Sequence, residues 1–135
     1  MSDFSPWLEL LIDQRWAALG TLDSNGDPYV SGVAFCPVIS PGPGLLMHLS
    51  QLAAHTGYLQ SRPSCSLLIG EPDNGTGDPQ KLVRLTLRGK AAPLARDSEL
   101  FVEGAKNYIT KFPESEMRFG LGDFQLFNFI TEKGN

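Results

Sequence analysis

The chain has few of the features that would assign it to a class at once. Its two cysteines, Cys36 and Cys65, form no C-x-x-C pair, and such residues are more often buried thiols than metal ligands or a disulfide. No run of about 18 apolar residues is present to span a bilayer. The first residues carry neither a basic nor an apolar signal segment. We therefore expect a cytoplasmic protein with no membrane partner and no metal site.

The chain also has no strong excess of positive or negative charge. The formal net charge is −4, and no cluster of lysine and arginine longer than a pair occurs. Since phosphate backbones are bound by such clusters, nucleic acid is not expected as the main partner. The sequence also lacks H-E-x-x-H, P-loop and G-x-S-x-G motifs and has no clustered carboxylates, which leaves hydrolase and kinase functions without support.

What is present fits one domain over residues 1–135, because a chain of this length buries a sizeable core but has no room for a second one. Helices are predicted from Pro6, with Ser5 as cap, to about Arg15, from after Leu49 to about Ser61, and after a cap at Asp97-Ser98, with a shorter turn after Pro113. Strands are predicted at Trp16–Leu22, Tyr29–Val38, Leu45–Leu49, Ser64–Ile69, Leu82–Pro93 and Phe124–Ile130. Closure into an antiparallel barrel would remove the open edges.

Three connections have clear turn chemistry. Asn25-Gly26 closes a hairpin, and the prolines and glycines of residues 40–44 form a turn. The stretch from Gly70 to Gln80 is dense in turn-forming residues. It is either a long hairpin connection, which we favour, or a lid.

The strongest functional signal is the segment from Met47 to Leu59, where an apolar strand leads into a helix that carries Ser50, His55 and Thr56. A helix N-terminus presents free backbone N–H groups and a positive dipole end. Polar side chains at this place favour an anion, most often a phosphate. Alone, His55 is more often a core histidine than a ligand.

Four blocks in order strengthen this signal: Ser31-Gly32-Val33-Ala34, then Ser50-x-Leu52-Ala53-x-His55-Thr56, then Ser66-Leu67-Leu68, then Arg84-Leu85-Thr86-Leu87-x-Gly89. In this order and spacing they resemble the FMN-binding split-barrel family, the pyridoxamine 5′-phosphate oxidase-like proteins, and most of all its haem-utilisation branch. The resemblance covers Leu10 to Ile130. It implies a mainly β fold with peripheral helices, a six-stranded antiparallel split β-barrel, and a homodimer that binds FMN at the subunit interface.

The resemblance also implies a set of cofactor-binding residues. Ser50, His55 and Thr56, with the amide of Leu52 or Ala53, would hold the phosphate. The backbone of the second strand would follow the flavin ring and ribityl chain, where Gly32 lets the ligand approach or marks only a bulge. Arg84 would lie near the ring carbonyls, whereas Arg88 is expected in solvent. The full set is Ser31, Gly32, Val33, Ala34, Ser50, Leu52, His55, Thr56 and Arg84.

The chain also departs from the family. The vitamin B6 oxidases carry an arginine and a lysine where this chain has Ser31 and Cys36, and an Arg-Lys pair where it has Ala54 and His55. The remaining phosphate site depends on hydroxyls, helix amides, His55 and Arg62, and binds a dianion less strongly than an arginine fork. Oxidation of pyridoxamine phosphate is therefore not expected. Haem breakdown is not expected either, because the C-terminal segment of haem-degrading relatives beyond Ile130 is missing.

The predicted function is that of a small FMN-dependent oxidoreductase in which the flavin carries the chemistry, with substrate and catalytic residues unassigned. One alternative is a binding module that holds flavin for sensing or storage. Another is an enzyme that uses a deazaflavin or haem in the same groove.

Overall fold

The computed structural model describes residues 6–38 and 44–132. The predicted cap Ser5, the turn over residues 40–43 and the side chain of Trp7 lie outside the described part. The helices are α1 (Pro6–Asp13), α2 (Ala54–Ser61), α3 (Glu99–Lys111) and α4 (Glu116–Phe119), with 3-10 turns at Pro79–Lys81 and Pro113–Ser115. The strands are β1 (Trp16–Leu22), β2 (Pro28–Ala34), β3 (Cys36–Val38), β4 (Gly44–Ser50), β5 (Ser64–Gly70), β6 (Arg84–Pro93) and β7 (Phe124–Thr131).

All seven strands form one curled antiparallel sheet in the order β2-β1-β5-β6-β7-β4-β3. The count is seven rather than six because the predicted second strand breaks at Phe35. This residue is fully buried, and its N–H donates to the carbonyl of Arg15 at 3.4 Å. The break directs Cys36–Val38 to β4, at the opposite end of the strand order. The mainly β split-barrel fold is confirmed.

Two apolar clusters lie on the two faces of the sheet. Along β4, Leu45, Met47 and Leu49 join the larger cluster inside the curl, while Leu46 joins a second cluster with Tyr108 of α3. Adjacent residues thus enter different cores because strand side chains alternate in direction. Burial of each such side chain contributes about 1.5–3 kcal/mol relative to exposure.

Local chemistry sets several boundaries. The hydroxyl of Ser98 accepts a hydrogen bond from the N–H of Phe101 at 3.1 Å, which confirms the predicted cap of α3. In the β1–β2 hairpin, Gly26 takes a φ of +83°, as the predicted Asn-Gly turn requires.

The connection from β5 to β6 joins two antiparallel partners, so the predicted hairpin connection is confirmed. Its base is closed by two hydrogen bonds: the N–H of Glu71 donates to the carbonyl of Val83 at 2.8 Å, and the N–H of Val83 donates to the Glu71 carboxylate at 3.1 Å. Within residues 6–38 and 44–132, no helix is long and apolar enough to cross a bilayer.

Candidate functional site

A groove of about 490 Å³ lies on the outward face of the sheet, across β2, β1, β5 and β6. Strand register explains its shape. Ala18 of β1 stands between Gly32 of β2 and Leu68 of β5, so two of these three facing positions are small. The groove is lined by Trp16, Ala17, Ala18, Val30, Ser31, Gly32, Leu68, Gly70, Glu71, Pro79, Leu82, Val83 and Arg84.

Three large apolar side chains of this groove are open to solvent. Val30 is 68% exposed, Trp16 66% and Leu68 44%. Solvent-exposed apolar side chains that cluster around a concavity mark a binding surface more often than side chains that are exposed singly. The groove therefore offers apolar walls to a ligand.

The groove has little charge. Arg84 is the one cationic side chain among the lining residues, all of which the structure describes, and Glu71 is the one carboxylate. Arg84 is exposed and donates one hydrogen bond, from Nη1 to the carbonyl of Gln80 at 3.1 Å. A guanidinium has five N–H donors, so most of its capacity remains for an anionic group of a ligand. Arg88 is also exposed, but it does not line this groove.

Gly32 makes room for a side chain of the neighbouring strand. A Cβ at this position would lie 2.4 Å from Cζ2 of Trp16, so the indole occupies the space that a side chain would fill. The alternative of a bulge is wrong, because Gly32 pairs in regular register with Ala18. The missing side chain thus makes room for Trp16 as a wall of the groove, not directly for a ligand.

A second set of predicted residues lies inside the curl. The Ser31 hydroxyl is 2.8 Å from Nδ1 of His55, which joins β2 to α2. Ser31 stands opposite the buried Leu19, so its side chain belongs to the inward face. Burial lowers the pKa of His55 and favours the neutral ring. Ser31 therefore connects the inward contact with His55 to the outward groove, which it also lines.

The predicted phosphate donors are largely used within the protein. Thr56 is fully buried, and its hydroxyl donates to the carbonyl of Ser50 at 2.5 Å. The N–H of Leu52 donates to the Ser50 hydroxyl at 3.1 Å, and the N–H of Ala53 to the Ser50 carbonyl at 3.2 Å. In this structure Thr56 and these amides stabilise the turn into α2, and their role as phosphate donors stays a prediction.

Three further predicted residues, Val33, Ala34 and Arg62, do not offer their side chains to the groove. The Val33 side chain is in the larger core cluster, and Ala34 packs against the second cluster, so either would meet a ligand only through its backbone. Arg62 lies against the β1–β2 turn, with Nη2 3.5 Å from the carbonyl of Ser24.

Sequence reasoning missed Trp16, Leu68 and Glu71 as groove residues. A signal was available for Trp16: it shares the outward face of β1 with the small residues Ala18 and Gly20. A large apolar residue beside small ones on an exposed strand face indicates a surface with a function beyond the core. Leu68 needed the β1–β5 register, which the sequence does not reveal.

A single curled antiparallel sheet in this strand order defines a split-barrel fold. The chain belongs to the pyridoxamine 5′-phosphate oxidase family, whose model matches residues 7–134. It is 28% identical over 123 residues to the heme oxygenase HutZ of Vibrio cholerae, covering 90% of this chain and 68% of that protein. It is 31% identical over 107 residues to the chloroplastic heme oxygenase HOZ of Arabidopsis thaliana, covering 78% of this chain but only 31% of that protein.

The fold comparison agrees. The crystal structure of HutZ from Vibrio cholerae, there described as a heme storage protein, matches with a TM-score of 0.84 and 27% identity over 96% of this chain and 89% of that chain. The predicted resemblance to the haem-utilisation branch is thereby confirmed. These relatives are named for haem, whereas the cofactor predicted from the sequence was FMN.

Proposed function

We propose that this chain binds haem in the groove of β2, β1, β5 and β6. The observation that carries the proposal is the pairing of exposed apolar walls, Trp16, Val30 and Leu68, with the single cation Arg84. Haem is a planar apolar ring with carboxylates on one side, so it needs flat apolar contacts and one cationic anchor. The haem names of HutZ and HOZ support the same choice.

The residues fit haem through its ring and its acid groups. Trp16 and Leu68 would contact the macrocycle, and the free N–H groups of Arg84 would bind a propionate. None of the residues that line the groove, all within the described part of the chain, is a histidine, cysteine, methionine or tyrosine. The groove lining would therefore hold haem by its ring and its carboxylates, and a ligand of the iron would come from outside the groove. Bound haem would supply oxygen or electron-transfer chemistry, and the protein would orient the ring and tune its electrostatics.

A homodimer is part of this proposal. Val30 and Trp16 flank the groove with most of their surface in solvent, and β2 is the last strand on its side of the sheet. A second copy against this face would cover the apolar side chains and supply the opposite wall of the site. HutZ is named both as a heme oxygenase and as a heme storage protein, and both roles require the haem binding proposed here.

FMN is the second candidate, and one observation favours it. In the described residues, the N–H groups of Ala54 and His55 at the start of α2 have no acceptor, and the His55 ring is held by Ser31. Free amides at a helix start attract a phosphate. Against FMN, the hydroxyl of Thr56 and two of the expected amides are already used.

A titration of the apoprotein separates the two candidates. We expect haem to bind with a change in its absorption spectrum, FMN to bind at least tenfold more weakly, and metal-free protoporphyrin to bind within about tenfold of haem, since tenfold corresponds to 1.4 kcal/mol. Saturable binding of FMN together with no binding of either porphyrin would overturn the proposal. Riboflavin serves as the control for FMN, because it lacks the phosphate.

A further inference from the structure

A second cavity, of about 140 Å³, lies at the end of β4 near α3 and α4. Its walls include His48, Gln51, Arg96 and the rings of Phe101, Phe119 and Phe124. None of its lining residues borders the groove described above. The cavity is therefore spatially separate from the proposed haem site.

One arginine, Arg96, lines this cavity, and a second, Arg118, lies beside the ring of Phe124 in its wall. The guanidinium of Arg96 lies 5.8 Å from the ring centroid of Phe101, and that of Arg118 lies 5.8 Å from the ring centroid of Phe124. In the described part of the chain, the one ion pair joins Lys106 to Glu103, so neither arginine is paired with a carboxylate. The aromatic rings position the two cations but do not neutralise them.

His48 also lines the cavity. Its ring stacks on Phe119 with centroids 3.8 Å apart and also contacts Tyr108 of α3 and Phe124 of β7. Its Nδ1 is buried and has no hydrogen-bond partner. Burial, with the charges of Arg118 and Arg96, lowers the pKa of His48 to about 4. The ring is therefore neutral at neutral pH and has an N–H to donate.

We propose that this cavity binds a small oxyanion, a phosphate or carboxylate group, at Arg96 beside His48 and Gln51, with Arg118 adding positive charge from beside Phe124. Unpaired guanidinium groups are the preferred protein partners of such anions. Water occupies about 30 Å³ per molecule in the liquid, so the cavity has room for about four or five waters. That space suits a single phosphate or carboxylate group and is too small for a nucleotide or a haem.

The test uses the two histidines of the chain, His48 and His55, as separate NMR probes. Protein in phosphate-free buffer at pH 7 is titrated with inorganic phosphate, with acetate, and with chloride at matched ionic strength. We expect saturable shifts of the His48 ring signals with phosphate or acetate, and unchanged His55 signals. Since an opposite charge at 4–6 Å raises a histidine pKa by about one unit or more, the apparent pKa of His48 should rise in the bound state.

Variants complete the test. Arg96→Gln and Arg118→Gln should each lower the affinity for the anion by about tenfold, the usual loss for one charge-assisted hydrogen bond. Arg88→Gln removes the same charge from an exposed residue of β6 that neither lines the cavity nor stacks on one of its rings, and it should leave the affinity unchanged. Saturation by phosphate alone would assign a phosphoryl group, and saturation by acetate a carboxylate. Equal shifts with chloride, or normal binding in both cavity variants, would overturn the proposal.

Discussion

Replacing Gly32 by alanine tests the groove directly. The new Cβ would lie 2.4, 2.9 and 3.1 Å from Cζ2, Cε2 and Nε1 of Trp16. Carbon atoms in contact prefer about 3.5–4.0 Å, so the indole must retreat by about 1 Å or more. Because Trp16 is 66% exposed, it can move into solvent rather than push the backbone apart.

The expected cost to stability is small. A side chain turned about 30° from its rotamer loses about 0.5–1.5 kcal/mol. Alanine regains about 0.5–1 kcal/mol over glycine inside a strand, so the free energy of unfolding should change by less than about 1 kcal/mol. Haem affinity should nevertheless fall by about two- to tenfold, because the displaced indole loses an aromatic contact of about 0.5–1.5 kcal/mol.

The measurements are urea unfolding, haem titration and indole fluorescence in a Trp7→Phe background, which leaves Trp16 as the one tryptophan. Gly57→Ala is the control, since a Cβ there meets nothing within 4 Å. A loss of more than about 3 kcal/mol would mean that the indole is rigidly packed. Unchanged haem affinity with a displaced indole would refute the assignment of the groove.

Arg84→Ala should lower the affinity for haem by about tenfold in a calorimetric titration, whereas Arg88→Ala should leave it unchanged. Equal losses in both variants would mean that haem is attracted by general charge rather than bound at a site. Thr56→Val should lower the free energy of unfolding by about 1 kcal/mol through the lost bond to Ser50 and leave FMN affinity unchanged, whereas a selective loss of FMN would restore Thr56 to the site. Stability should fall as pH drops from 6.5 to about 4, because the unfolded state protonates His48 before the folded state does; His48→Phe should flatten this slope in urea melts.

Features that depend on neighbours in sequence were predictable. The bounds of β1 and the cap of α3 agree with the sequence expectation, since both rest on local pattern and on a side chain that bonds three residues away. Along β6, exposed and buried side chains alternate as a strand requires: Arg84 and Arg88 are exposed, whereas Gly89 and Ala91 are buried.

Features that depend on distant contacts were not predictable. The break at Phe35 follows from a bond to the Arg15 carbonyl, and the place of Gly32 follows from an indole on the neighbouring strand. Of the candidate site, Arg84 and Gly32 could be placed at the groove from the sequence. The hydrogen bond from Thr56 to the Ser50 carbonyl could not be predicted, because a hydroxyl at a helix start bonds an outside anion and its own backbone equally well.

The break at Phe35 also has a consequence for the covalent connectivity of the sheet. Residues 28–34 and 36–38 are the two ends of the strand order, yet only one residue separates them in the chain. The two edge strands, β2 and β3, are therefore joined through the chain although no hydrogen bonds pair them with each other. Neither strand can separate far from the sheet while the other stays paired. A circular permutant with new termini at Phe35 would remove this covalent link, so that each edge strand could separate from the sheet independently.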